Sequence, residues 1–169
     1  MATSLTNLSS FDSSSLPKAI SLRIGIVVSE WNGEITQNLF QGCKEVLVKA
    51  GVQDKNITVI QVPGAFELPF GAQLLAESFA YDAIICLGCV IRGATAHFDY
   101  VCSSCATGVM NVSLKFNKPV VFGVLTDDTI EQSKARSGGE HGNKGVESAV
   151  TALKMAEIQR TSKDESWFL

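Results

Sequence analysis

The sequence predicts an α/β fold: a three-layer, doubly wound arrangement in which a four-stranded parallel sheet is flanked by helices on both faces. Three observations predict it. Apolar runs rich in Val and Ile recur at 22–28, 57–62, 83–91 and 120–125, the pattern of strands buried on both faces. Each run is followed, across a short loop, by apolar residues at helical spacing, so strand and helix alternate four times. The residues of unusual chemistry gather just past the carboxyl ends of the strands, where open α/β sheets bind ligands.

The first strand, Leu22 to Val28, is left through Ser29, Glu30, Trp31 and Asn32. Asn32 is placed to cap a helix that begins near Gly33. In that helix Ile35, Leu39, Cys43, Val46, Leu47 and Ala50 share a face, and Gly51 stops it. The second strand, Ile57 to Val62, ends in the turn from Pro63 to Glu67. The turn feeds a helix reaching about Phe79, with Pro69 suited to its first turn. The third strand, Ala83 to Ile91, opens into Arg92, Gly93, Ala94 and Thr95, then His97 and a helix from about Phe98 to Leu114. The fourth, Val120 to Leu125, follows Pro119. Thr126 is placed to cap the next helix, with Asp127 and Asp128 in its first turn. That helix ends near Ser137, because Gly138, Gly139 and Gly142 hold a helix poorly. A last helix runs from near Asn143 to about Gln159, with Val146, Val150, Leu153 and Ile158 as its apolar stripe.

The stretch from Ala83 to Asp99 carries the most chemistry. A strand that ends in a glycine-bearing loop and feeds a helix N-terminus is an anion site in waiting: main-chain N–H groups and the positive end of the helix dipole point at the ligand. A histidine beside such a site can move protons near neutral pH. Spacing alone leaves open a plainer reading, a solvated Arg92 and a capping His97.

Composition narrows the function classes. At 169 residues and 46% hydrophobic, the chain suits one domain with a sizeable core. A net charge of −3 argues against a nucleic-acid surface, and no apolar run is long enough to span a bilayer. The cysteines include two C-x-x-C pairs, Cys86/Cys89 and Cys102/Cys105. A zinc site is rejected, because residues three apart in a strand point to opposite faces and Cys86 and Cys89 lie within one. Buried thiols in a reducing, cytoplasmic setting fit better. Six serines fall in the first fifteen residues. Residues 1–20 are expected to form a flexible arm before a single domain at 21–160, with a tail at 161–169 carrying Trp167 and Phe168. A plastid transit peptide would also be Ser-rich, but is usually longer and contains Arg, whereas the first Arg here is Arg23.

At these residues the sequence resembles the 6,7-dimethyl-8-ribityllumazine synthase family. The matching pieces are VSEWN at 28–32, VPGAFELP at 62–69, LGCVIRGATAHFDYV at 87–101, PVVFGVLT at 119–126 and GNKG at 142–145. The resemblance implies a flavodoxin-like fold. It implies a transferase of riboflavin biosynthesis that condenses 5-amino-6-(D-ribitylamino)uracil with 3,4-dihydroxy-2-butanone 4-phosphate, releasing phosphate and water, with no metal or organic cofactor. Carried over position by position, it implies that Trp31 stacks on the uracil ring. Main-chain groups of Ala65 and Phe66 and the Glu67 carboxylate hold the ribityl chain. Main-chain groups of Cys89, Val90 and Ile91 read the pyrimidine edge. Ala94 and Thr95 bind the phosphate through N–H groups, and Arg136 closes over it. His97 is the proton shuttle. Lys144 approaches the substrate, with Glu147 as its partner.

The resemblance further implies that Phe122 and Arg136 act from a neighbouring subunit. The site is then completed only on assembly, in a homopentamer and, given the short glycine-rich segment, a shell of sixty subunits. Riboflavin synthase is an expected partner. Glu140 and His141 depart from the family pattern, which carries a basic residue and alanine there. Two other functions remain open on sequence: a lumazine- or flavin-binding shell protein with little catalysis, and a related enzyme making riboflavin by dismutation of lumazine.

Overall fold

The computed structural model of the chain describes residues 9–12, 16–78 and 80–162. Four strands form where apolar runs predict them: β1 (Ile24–Ser29), β2 (Ile57–Val62), β3 (Ala83–Ile91) and β4 (Val120–Asp127). They make one parallel sheet in the order β2-β1-β3-β4. Ile24 of β1 stands opposite Ile57 on one side and Ala83 on the other, and β3 continues into β4 with Ile84 opposite Val120.

Five helices complete the layers: α1 (Gly33–Lys49), α2 (Leu68–Glu77), α3 (His97–Phe116), α4 (Ile130–Ala135) and α5 (Lys144–Thr161). The strand alternation divides the interior into two cores. Ile24, Ile26 and Val28 of β1 and Ile85 and Leu87 of β3 pack with α1 and α5. Val27, Ile84 and Cys86 pack with α2 and α3 on the opposite face. The central strands therefore read as unbroken apolar runs, because both of their faces are covered. Cys86 belongs to one core and Cys89 to the other, so the two thiols project to opposite faces as their spacing requires.

Gly51 ends α1 as expected. Its φ is +97°; its N–H donates to Val48, while the Val52 N–H donates to Leu47 at 3.0 Å. These are the two bonds of a Schellman cap, sealed by burial of Leu47 and Val52. Pro69 occupies the first turn of α2, which reaches Glu77; Phe79 lies outside the described residues. So do the serines at 4 and 13–15, Trp167 and Phe168.

Two expected caps do not form. Asn32 adopts the left-handed conformation (φ 59°) and makes no side-chain cap for α1; its amide reaches across to β3 instead. Thr126 continues β4, paired with Val90, and Asp127 pairs with Ile91, so neither Asp127 nor Asp128 lies in the first turn of a helix. The cap of α4 is Thr129. Its hydroxyl accepts from the Gln132 N–H, and the Gln132 side chain accepts from the Thr129 N–H, a reciprocal capping box. The glycine-rich segment, expected as a break, folds into a short antiparallel hairpin, β5 (Ser137–Gly139) with β6 (Gly142–Asn143). Asn143 then caps α5, its side-chain oxygen accepting from Gly145 at 2.8 Å.

Candidate active site

The carboxyl ends of β1, β2 and β3 open into a cleft of about 560 Å³. Three loops build it. Trp31 and Asn32 leave β1. Gly64 to Glu67 leave β2 as a single tight helical turn, held by the Glu67 N–H donating to Gly64 at 3.2 Å. Cys89, Val90 and Ile91 end β3, and His97 and Val101 border the cleft from α3. The loops after β1 and β2 are clamped together: Glu30 N–H donates to Val62 at 2.9 Å and Trp31 N–H to Pro63 at 3.2 Å.

Trp31 and Phe66 are 73% and 59% exposed. Two large aromatic side chains left in solvent at the mouth of one cleft lie outside the core and can stack against a flat ligand. The neighbouring end of β3 offers main-chain donors and acceptors, and Glu67 adds a carboxylate. Asn32 belongs to this cleft too, as its place beside Trp31 past the end of β1 suggests, although its side chain was expected to cap α1. Its side-chain N–H donates to the Cys89 carbonyl at 3.0 Å. Its left-handed backbone is one that Asn tolerates better than most residues.

Ala94 and Thr95 are exposed in the loop that turns into α3. Their amides stand at the positive end of a 20-residue helix, which favours an anion there. His97 is the first residue of that helix, and its N–H donates to Thr95 Oγ1 at 3.4 Å. Arg92 is exposed, as the plainer reading has it, and also clasps this loop. Its guanidinium bonds Asp128 at 2.7 Å and Asp99 at 3.1 Å and lies 4.1 Å over the Phe98 ring, while the Arg92 main-chain N–H donates to the Asp127 carbonyl at 3.0 Å.

The remaining sequence-predicted residues lie elsewhere on the chain. Phe122 and Lys144 border a second cleft on the α5 side of β4, together with Phe11 and Glu147. Lys144 Nζ bonds Glu147 at 2.9 Å, and both side chains are largely buried. Arg136 ends α4, half-buried, and its carbonyl accepts from the Lys144 N–H at 2.9 Å. One chain thus carries an aromatic cleft with a histidine at its rim and a second cleft that holds Phe122 and Lys144.

Behind the first cleft runs a buried polar chain. Burial pushes the Cys89 thiol upward, so it stands protonated. The thiol donates to Ser133 Oγ at 3.4 Å, and the Ser133 hydroxyl donates to Asp127 Oδ2 at 2.7 Å. Among the described residues no cluster of His, Cys, Asp and Glu is arranged to hold a metal ion, and no helix is long and apolar enough to cross a membrane.

Comparison with known proteins agrees with this geometry. The family model described as 6,7-dimethyl-8-ribityllumazine synthase matches residues 21–160. The chain is 54% identical over 158 residues to the 6,7-dimethyl-8-ribityllumazine synthase of Parabacteroides distasonis, covering 94% of this chain and 99% of that one. The protein of the same name from Cytophaga hutchinsonii is 55% identical over 155 residues, covering 92% and 97%. That of Christiangramia forsetii is 49% identical over 164 residues, covering 96% and 98%. A fold of this order, a cleft of this make-up and near full-length likeness lead to one conclusion: the chain belongs to the 6,7-dimethyl-8-ribityllumazine synthase family.

Proposed function

We propose that the chain is a transferase of riboflavin biosynthesis that joins 5-amino-6-(D-ribitylamino)uracil to 3,4-dihydroxy-2-butanone 4-phosphate, giving 6,7-dimethyl-8-ribityllumazine with loss of phosphate and water. The observation that carries this reading is the gathering of Trp31, Ala65, Phe66, Glu67, Cys89, Val90, Ile91 and His97 around one cleft. They come from four separate elements and are the positions through which the family resemblance assigns the pyrimidine substrate and the proton shuttle.

Trp31 stacks on the uracil ring, whose edge is read by the main chain of Cys89 to Ile91. The ribityl hydroxyls meet the main chain at Ala65 and Phe66 and the carboxylate of Glu67. The phosphate rests on the amides of Ala94 and Thr95. This places the carbon that loses a proton, as phosphate departs, within reach of His97. The steps require imine formation, proton removal beside a carbonyl and elimination of phosphate. One imidazole serves these transfers in turn, and the pocket contributes by holding two mutually reactive substrates together.

Arg136, Phe122 and Lys144 complete a neighbour's site. None of the three lines the cleft of its own chain, and Phe122 and Lys144 border another; this supports a shared site, because a guanidinium that pairs with phosphate must face it. The chain accordingly works as a homopentamer, and sixty subunits form a shell. The protein is cytoplasmic and hands its product to riboflavin synthase. Incubation with both substrates tests the activity: equal consumption of the two, with release of phosphate, is expected. Turnover of the lumazine alone to riboflavin, or binding without turnover, would overturn it.

A further inference from the structure

We propose that Asn32, Cys89, Ser133 and Asp127 form a positioning network that sets the place of Arg136, so that the wall of one pyrimidine cleft fixes the phosphate-binding arm offered to the next subunit. The inference rests on the assignment of Arg136 to the phosphate.

The network is continuous and directional. Asn32 Nδ2 donates to the Cys89 carbonyl at 3.0 Å, the Cys89 thiol donates to Ser133 Oγ at 3.4 Å, and the Ser133 hydroxyl donates to Asp127 Oδ2 at 2.7 Å. It joins the ends of β1, β3 and β4 to α4. Ser133 is 0% exposed and Cys89 3%, so no water replaces a lost partner, and each link is worth more than its surface equivalent. The carboxylate at the end makes the last bond charge-assisted.

The helix it holds needs holding. α4 has six residues, too few to persist on its own hydrogen bonds. It is also fastened by the Thr129 capping box, an exposed Lys134–Glu34 pair at 3.6 Å, and main-chain bonds from His141 N–H to the Ala135 carbonyl and from Lys144 N–H to the Arg136 carbonyl, both at 2.9 Å. Ser133 is its one fully buried side chain. Arg136 follows three residues later, on the same side of the helix, with its N–H donating to the Ser133 carbonyl at 3.2 Å. Moving Ser133 therefore moves Arg136, and with it the carbonyl that receives the Lys144 N–H.

The test separates this role from general support of the fold. Ser133→Ala, Cys89→Ala, Arg136→Ala and the Ser133→Ala/Arg136→Ala double variant are assayed with each substrate varied in turn. Ser133→Ala is expected to raise KM for the butanone phosphate about three- to tenfold, while KM for the pyrimidine stays within about twofold. Cys89→Ala cuts the chain one link earlier, removing the donor to Ser133 Oγ. It gives the same selective rise, and serves if Ser133→Ala does not fold. In the Arg136→Ala background Ser133→Ala adds nothing further. Equal rises in both KM values, or a full additional effect in the double variant, would overturn the network. If Arg136→Ala raises KM for the phosphate substrate while Ser133→Ala and Cys89→Ala do not, the network alone fails. If Arg136→Ala leaves that KM unchanged, the assignment of Arg136 fails and the network falls with it.

Discussion

Gly145→Ala should loosen the contact that seats α5 on α1. A β-carbon at Gly145 would lie 1.8 Å from the Leu39 carbonyl oxygen and 2.6 Å from its carbonyl carbon, where real β-carbons essentially never come within 3.0 Å. Both atoms are main chain in the middle of α1, so no side-chain rotation relieves the clash. The first turn of α5 has to retreat by about 1 Å or more, opening the core around Leu39, Ala149 and Leu153. Overpacking typically costs about 1–3 kcal/mol when side chains can shift. With rigid backbone on both sides the upper figure applies, about 3 kcal/mol. For a chain of this length that lowers Tm by about 6–12 °C. Gly33→Ala is the matched control: the same change, in the first turn of α1, meets nothing within 4 Å. Ala favours a helix over Gly by up to ~1 kcal/mol, so this variant should hold or raise Tm by a few degrees. Calorimetry at one fixed protein concentration compares them, since assembly ties Tm to concentration. Equal shifts in the two variants, or a Gly145→Ala Tm within about 2 °C of the parent, would refute the packing argument.

Three further outcomes follow from the site. His97→Ala is expected to slow turnover about tenfold or more without abolishing it, with pyrimidine affinity nearly intact, because the pocket still joins the substrates when the proton shuttle is gone. His141→Ala, in the exposed hairpin, should change little; pre-steady-state kinetics on both distinguishes them. Arg136→Ala should weaken the butanone phosphate more than the pyrimidine, and titration with each substrate checks the order. Thiol reactivity should be ordered by burial. Burial pushes Cys43 and Cys105 up to about 12 and Cys86 upward as well, so at pH 8 these thiols stay protonated and unreactive. Cys102, only half-buried, should react first with a maleimide, and a second thiol reacting as fast would contradict the burial.

The central strands were legible because they bury both faces, which leaves runs such as Ala83 to Ile91 without a polar residue. The aromatic cleft was legible for a related reason: topology gathers the ends of β1, β2 and β3, so Trp31, Phe66 and His97 meet though far apart in sequence. What failed was the choice between local and distant partners. Thr126 and Thr129 can both cap. The pairing of β4 with β3 claims Thr126 for the sheet, and Gln132, three residues after Thr129, was the signal for the true cap. Asn32 was read as a cap, yet its amide bonds a carbonyl 57 residues away. The hairpin of β5 and β6 had no apolar pattern to announce it. Ser133 carried no local mark at all, since its partners Cys89 and Asp127 are set by how α4 lies across two strand ends.

The central claim is that His97 and Arg136 serve one site from two chains. Mixing two damaged variants tests it most directly. Arg136→Ala and His97→Ala are unfolded together, refolded at equal ratio and assayed with the phosphate substrate below saturation. A site is intact when a chain keeping His97 meets a neighbour keeping Arg136, which random assembly gives in about a quarter of interfaces. Activity should therefore rise well above either parent, toward about a quarter of the undamaged enzyme. Activity equal to the mean of the two parents would contradict a shared site and place both residues in the cleft of a single chain.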